Sequence, residues 1–147
     1  MFHVHVAVRS YETDQLGHLN QAVYASWAEH ARVELLRAAG VSLPGAQNLG
    51  VVVLEATIRY LKELRMGDEV DVSCGIVFGS GKTFSMNSTF LRGDGVTCAE
   101  VRTTMGLMDL AARRLVAEPE QRLRALTGNT DVWERAASSH ITATDSD

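Results

Sequence analysis

From Val52 to Leu107 the chain keeps returning to a period of two, and each return is set off by a short break containing glycine. Val52, Leu54, Ala56, Ile58 and Tyr60 alternate with Val53, Glu55, Thr57 and Arg59. Val70, Val72, Cys74, Ile76 and Phe78 form a second apolar set. Phe84, Met86 and Phe90 make a third, and Ala99, Val101, Thr103, Met105 and Leu107 a fourth. Alternation of this kind marks strands with one buried face. Gly67-Asp68, Gly79-Ser80-Gly81-Lys82 and Gly93-Asp94-Gly95 read as the turns between them. Such short connections join antiparallel strands, because a parallel crossover needs about a dozen residues or more. The run predicts an antiparallel meander.

One long helix accompanies these strands. In residues 22–39, Tyr24, Trp27, Ala28, Ala31, Leu35, Ala38 and Ala39 share an arc of about 120° at helical spacing, while Ser26, Glu29, His30, Glu34 and Arg37 lie opposite. Gly40 is placed as the stop. A stripe so rich in alanine lets the helix approach its cover closely, as it would in the hollow of a curved sheet. Residues 2–9 alternate Phe2, Val4, Val6 and Val8 with more polar neighbours and predict a first strand ending at Ser10. One helix and five strands define a two-layer α+β domain. After Pro119, Glu120 to Leu126 reads as a short helix. The domain is assigned to residues 1–126, and the polar, aperiodic stretch 127–147 is expected to be a poorly ordered tail.

Composition narrows the function classes. At 147 residues, 46% hydrophobic and 22% charged, the chain suits a single folded domain with a substantial core. A formal charge of −4 argues against a nucleic-acid binder, so an anionic ligand would need a local cluster of Lys or Arg. Cys74 and Cys98 sit in apolar strand patterns without zinc-ligand spacing, which points to buried, reduced thiols. The first residues lack a cationic region followed by an apolar block. No apolar run reaches the roughly 18 residues of a membrane span. A soluble cytoplasmic protein is expected, with no membrane or nucleic-acid partner.

Chemistry concentrates before the helix, in Tyr11-Glu12-Thr13-Asp14-Gln15-Leu16-Gly17-His18-Leu19-Asn20-Gln21. A carboxylate facing a helix start meets backbone N–H groups that have no intrahelical partner. Paired in this way, Asp14 and those donors have the parts that acyl transfer requires, although capping a turn would also explain Asp14. Asn20 is a good N-cap for a helix starting at Gln21 or Ala22. His18 can orient Asp14 or bond a substrate carbonyl, or serve structurally. Gly17 supplies either a special backbone geometry or a close approach.

Asp14, Gly17, Tyr24, Trp27 and Glu29, at these spacings, resemble the 4-hydroxybenzoyl-CoA thioesterase family of hotdog enzymes, in which a five-stranded antiparallel sheet wraps one long central helix. Glu29-His30-Ala31-Arg32-Val33-Glu34-Leu35-Leu36 is similar to the helix of bacterial acyl-CoA thioesterases in that family. His18 and Asn20 depart from its aromatic member and look like the Asp-x-x-x-His-x-Asn pattern of hotdog acyl-ACP thioesterases. Ile58-Arg59-Tyr60 with Met66-Gly67-Asp68-Glu69-Val70, and Asp109 through Pro119, extend the likeness over roughly residues 2–126.

The resemblance implies hydrolysis of an acyl-CoA or acyl-ACP thioester to a carboxylic acid and a thiol. Asp14 would be the nucleophile or the general base, and the backbone N–H of Gln21 would polarise the carbonyl. His18 and Asn20 complete the implied catalytic group. Gly17, Tyr24, Glu55, Arg59 and Lys82 are assigned to substrate binding, with Tyr24 and Trp27 also suited to the core and Glu55 also suited to a solvated position. Arg59, Lys62, Lys82 and Arg92 are the cations placed to meet the phosphates of coenzyme A or phosphopantetheine. Gly79 to Thr83 lacks P-loop spacing. No metal or redox cofactor is implied. Homodimers pairing sheet edges are expected, with the site between subunits and two dimers forming a tetramer. The alternatives are a non-catalytic acyl-thioester binding protein and a hotdog dehydratase or hydratase. The second is disfavoured because the carboxylate precedes the helix and no Pro-rich loop carries a His.

Overall fold

The computed structural model describes residues 2–129 together with Asp131 and Val132. The strands are β1 (His3–Ala7), β2 (Leu49–Tyr60), β3 (Glu69–Ser73), β4 (Gly75–Phe78), β5 (Thr83–Arg92), β6 (Thr97–Asp109) and β7 (Arg114–Leu115). The helices are α1 (Gln21–Ala38) and α2 (Pro119–Leu126), with a 3-10 turn at Ser10–Glu12. All the strand pairings are antiparallel, in the order β1-β3-β5-β6-β2. β4 pairs with β5, and β7 pairs with β6.

The alternating residues of β3 to β6 form the core as their period requires: Val70, Val72, Cys74, Ile76, Phe84, Met86, Phe90, Ala99, Val101, Thr103, Met105 and Leu107 are all buried. Against them lies the α1 stripe of Tyr24, Trp27, Ala28, Ala31 and Leu35. Trp27 stacks on Phe90 with centroids 6.2 Å apart, and Tyr24 meets the same ring at 5.3 Å. Ala38, placed on this stripe from sequence, is exposed, because the helix closes there. Gly40 takes φ +82°, its N–H bonds the Arg37 carbonyl at 3.0 Å, and the Val41 N–H reaches the Leu36 carbonyl at 2.9 Å. That is a Schellman closure, for which glycine is the favoured residue.

Three features depart from the meander. The single strand expected over Val70–Phe78 is interrupted at Cys74, and both halves pair with β5. β2 does not pair with β3, because β1 takes that edge; the 61–68 connection carries the chain across, and β2 lies beside β6. Within β2 the register shifts between Val53 and Glu55, so Leu54 is an extra residue. Val53 opposes the inward Met105, while Ala56 and Ile58 oppose the inward Thr103 and Val101. The inner set is therefore Val51 and Val53, then Ala56, Ile58 and Tyr60, not the unbroken series through Val52 and Leu54.

Beyond residue 126 the chain still docks. The N–H groups of Gly128 and Asn129 both donate to the Ala39 carbonyl, at 2.8 and 3.1 Å, and Val132 is buried. The remainder of the expected tail lies outside the described residues. α1 packs on β1, β3, β5 and β6. The β2 side of the sheet stays open, with Val53, Leu54 and Tyr60 about half exposed at 47%, 47% and 52%.

Candidate active site

The Asp14 turn is fastened from within. Its backbone N–H donates to the His18 carbonyl at 2.8 Å, and the Gly17 N–H donates to the Asp14 carbonyl at 3.0 Å. The side-chain Oδ1 accepts from the backbone N–H of Leu16 at 2.9 Å and of His18 at 3.2 Å. Among the described residues Oδ2 accepts no hydrogen bond, and the carboxylate is exposed. One oxygen thus anchors the group while the other faces solvent. Gly17 stands at φ +78° with nothing within 4 Å of a would-be Cβ, so backbone conformation, not close approach, accounts for it.

Helix α1 begins as its cap dictates. Asn20 Oδ1 accepts the Ala22 N–H at 3.0 Å, and the Asn20 carbonyl accepts the Val23 N–H at 2.9 Å. The Gln21 N–H has no acceptor among the described residues. An orphan first-turn N–H at the positive end of the helix dipole is a ready donor to developing negative charge.

Asp14, His18, Leu19, Asn20, Gln21 and Tyr24 line one cleft of about 530 Å³ with Tyr60, Leu61, Lys62 and Glu63. The second wall is drawn in by backbone: the Leu19 N–H donates to the Leu64 carbonyl at 2.7 Å, and His18 bridges to Arg65. Tyr60 meets Tyr24 edge to face at 5.1 Å. Burial first, then the nearby Cys98, Tyr60, Asp14 and Glu63, pushes the Tyr24 hydroxyl up to about 12, so it stays protonated and able to donate. Glu63 is held below the usual carboxyl range, first by a hydrogen bond to its own backbone and then by Arg65 and His18.

Of the residues assigned from sequence, Asp14, His18, Asn20, Gln21 and Tyr24 are brought together, and Gly17 shapes their turn without lining the cleft. Glu55, Arg59 and Lys82 stand elsewhere in the chain. After Val53 the next inward position would have been Glu55. The extra residue puts Ala56 there, and Glu55 opposes Thr104 on the face turned away from α1. Arg59 shares that outer face and lies 3.8 Å from Glu100. Lys82 precedes β5 at the far end from Phe90, roughly 25 Å away at strand rise. Arg92 is committed to Asp94, at 2.9 to 3.1 Å, and to the Glu63 carbonyl at 3.0 Å. Lys62 is the cation the cleft does contain. Tyr60, Leu61 and Glu63 were not assigned from sequence. Their one signal was position, at the end of an apolar strand running into a charged loop.

A sheet curled on one long helix, with a carboxylate and an orphan amide at that helix's start, is the hotdog architecture expected of acyl-thioester enzymes. The chain belongs to the thioesterase-like superfamily, whose model matches residues 8–126. It is 38% identical over 78 residues to the chloroplastic acyl-acyl carrier protein thioesterase ATL3 of Arabidopsis thaliana, a match spanning 51% of this chain and 41% of that protein. The chain thus aligns with less than half the length of this relative. Among solved structures it resembles SAV2348 of Staphylococcus aureus in complex with CoA, at 25% identity and a TM-score of 0.74, covering 84% of this chain and 81% of that one. The dynemicin thioesterase is similar at 25% identity and a TM-score of 0.71, covering 85% and 94%.

Proposed function

We propose that this protein hydrolyses an acyl-CoA or acyl-ACP thioester to a free carboxylic acid and a thiol. One observation carries the reading: Asp14, anchored through Oδ1 with Oδ2 open, lines the same cleft as the unpaired Gln21 N–H. A thioester carbonyl directed at that amide would develop its negative charge where the helix start stabilises it. Asp14 then acts on the carbonyl carbon, directly or through a water molecule. Tyr24 offers a hydroxyl at the cleft wall, and Lys62 a cation at its rim. The working unit we propose is a homodimer paired through β2, whose copies close each other's open clefts, with two dimers forming a tetramer.

Thiol release measured across aliphatic, aromatic and β-keto acyl-CoAs, then with the acyl groups on carrier protein, tests the activity and its substrate class. Asp14→Ala is expected to lower kcat by about a thousand-fold, with the fold intact by circular dichroism. Undiminished release from that variant removes Asp14 from the mechanism. No release by the intact protein from any of these thioesters would replace hydrolysis with non-catalytic acyl-thioester binding.

A further inference from the structure

A groove runs along α1 on its β2 side. Its near part is lined by Ala25, Ser26, Glu29, Arg32, Ala56 and Ile58. Its far part, about 710 Å³, is lined by Glu29, Arg32, Val33, Leu36, Val51 and Val53 with their neighbours. Glu29 and Arg32 border both parts. The same i,i+3 spacing on the same helix gives a formed ion pair between Glu34 and Arg37, at 3.0 Å. Glu29 and Arg32 form no such pair, and neither has a hydrogen-bond or ion-pair partner among the described residues. Arg32 is half-buried, and burial holds its guanidinium below the ordinary arginine value. Glu29 acts on it only through space, and among the described residues no carboxylate sits against the guanidinium, so the cation is placed to meet a counter-charge carried by a second molecule.

The signs of the two charges select the occupant. A small anion attracted by Arg32 would meet Glu29 one helical turn away. A second copy of this chain presents both charges, and a twofold axis sets residue i against j and j against i. The rest of the surface fits such a partner: β2 is twelve residues long, hydrogen-bonded to β6 on one side, and carries half-exposed Val53, Leu54 and Tyr60. We propose that Glu29 of each copy pairs with Arg32 of the partner subunit across a twofold axis beside β2. This reciprocal pair selects like-with-like assembly and seats the partner along the open side of the catalytic cleft. The inference rests on the homodimer proposed above and is independent of the chemistry at Asp14.

Charge reversal separates an intermolecular pair from an intramolecular one. Glu29→Arg places two arginines opposite each other at both contacts, and Arg32→Glu places two glutamates. Each single variant is expected to self-associate about a hundred-fold more weakly than the parent in sedimentation equilibrium. The double variant, with the signs exchanged, should recover. The decisive arm mixes the two single variants. The two arginines of one then face the two glutamates of the other, and a heterodimer is expected. Pairing within one chain gives no rescue on mixing, so its absence overturns the proposal. Single variants that associate as tightly as the parent also overturn it while leaving the dimer standing. A parent that is monomeric throughout removes the assembly itself. If that monomer's α1 amides gain hydrogen-exchange protection from decanoate, the groove belongs to an anionic amphiphile. None of these outcomes depends on thiol release, so failure here is distinguishable from failure of the thioesterase reading.

Discussion

The two edges of this sheet are built in opposite ways. β1 is five residues long, and its exposed face carries His3 and His5. His5 Nδ1 lies 2.8 Å from Asp71 Oδ1, and its Nε2 bonds Glu69 Oε2. A short edge bearing charged groups resists addition of another strand. β2, at the other end, is twelve residues long and carries half-exposed apolar side chains: Val53, which lines the groove, and Leu54, at the bulge. Left bare, such an edge is an aggregation hazard. The two edges therefore differ in what another strand would meet: short and charged at β1, long and apolar at β2, the strand whose last residue, Tyr60, lines the cleft.

A matched pair of lysines gives the largest expected effect. Val53→Lys puts a charge into the groove beside β2 and should weaken self-association about a hundred-fold. Ala7→Lys adds the same charge at the exposed end of β1 and should leave association unchanged. Both sites are solvent-accessible, so the stability of the single chain should move by no more than about 0.5 kcal/mol. Light scattering and chemical denaturation read the two quantities separately. Equal weakening by both lysines would erase the distinction between the edges.

The cysteines give a smaller, kinetic test. Cys74 lies under the β1 side, its N–H bonded to the Phe2 carbonyl at 3.1 Å, and burial pushes its thiol up to about 12. Cys98 lies under the end of β2, its carbonyl accepting from Leu61 and Lys62 at 2.9 and 3.1 Å, and burial raises its thiol too. Both should resist a thiol reagent in the folded chain. Local opening of the less protected side exposes its thiol first, so under conditions favouring single chains Cys98 should label about tenfold faster than Cys74. The reverse order would make β1 the looser edge.

Much of this was legible because it is local. A period of two states which side chains are buried wherever a strand keeps its parity, and β3 to β6 keep it. The Asp14 turn, the Asn20 cap and the Gln21 amide fall within eight consecutive residues, so the sequence order is already the site's geometry. What could not be read is set by distant pairing. The bulge at Leu54 changes the parity of β2, putting Val51 and Val53 on the inner face in place of Val52 and Leu54, and it is defined only by the pairing with β6. The placement of β2 beside β6, and of Tyr60, Leu61 and Glu63 at the cleft, depends on contacts such as Leu19 to Leu64. β7 is two residues long and shows no period of its own.

The smallest expected effect isolates the β1 edge. The bond to Asp71 and then the bond to Glu69 raise His5 above its ordinary value of 6.5. A group whose folded pKa lies above its unfolded one adds stability that is complete below the unfolded value and is lost as pH rises through the folded one. The β1–β3 pairing should therefore hold best on the acidic side of 6.5 and loosen as pH climbs above it. His5 is fully exposed, so the change should be modest and reduced by salt. His5→Gln should flatten the dependence without touching β2. Hydrogen exchange of the Val4 and Val6 amides, followed from about pH 6 to 8 and corrected for intrinsic rates, reads the effect directly. A slope that survives in the variant would place the titration on another group. A slope that vanishes, with self-association unchanged, would show that β1 is guarded by its own charges independently of what β2 binds.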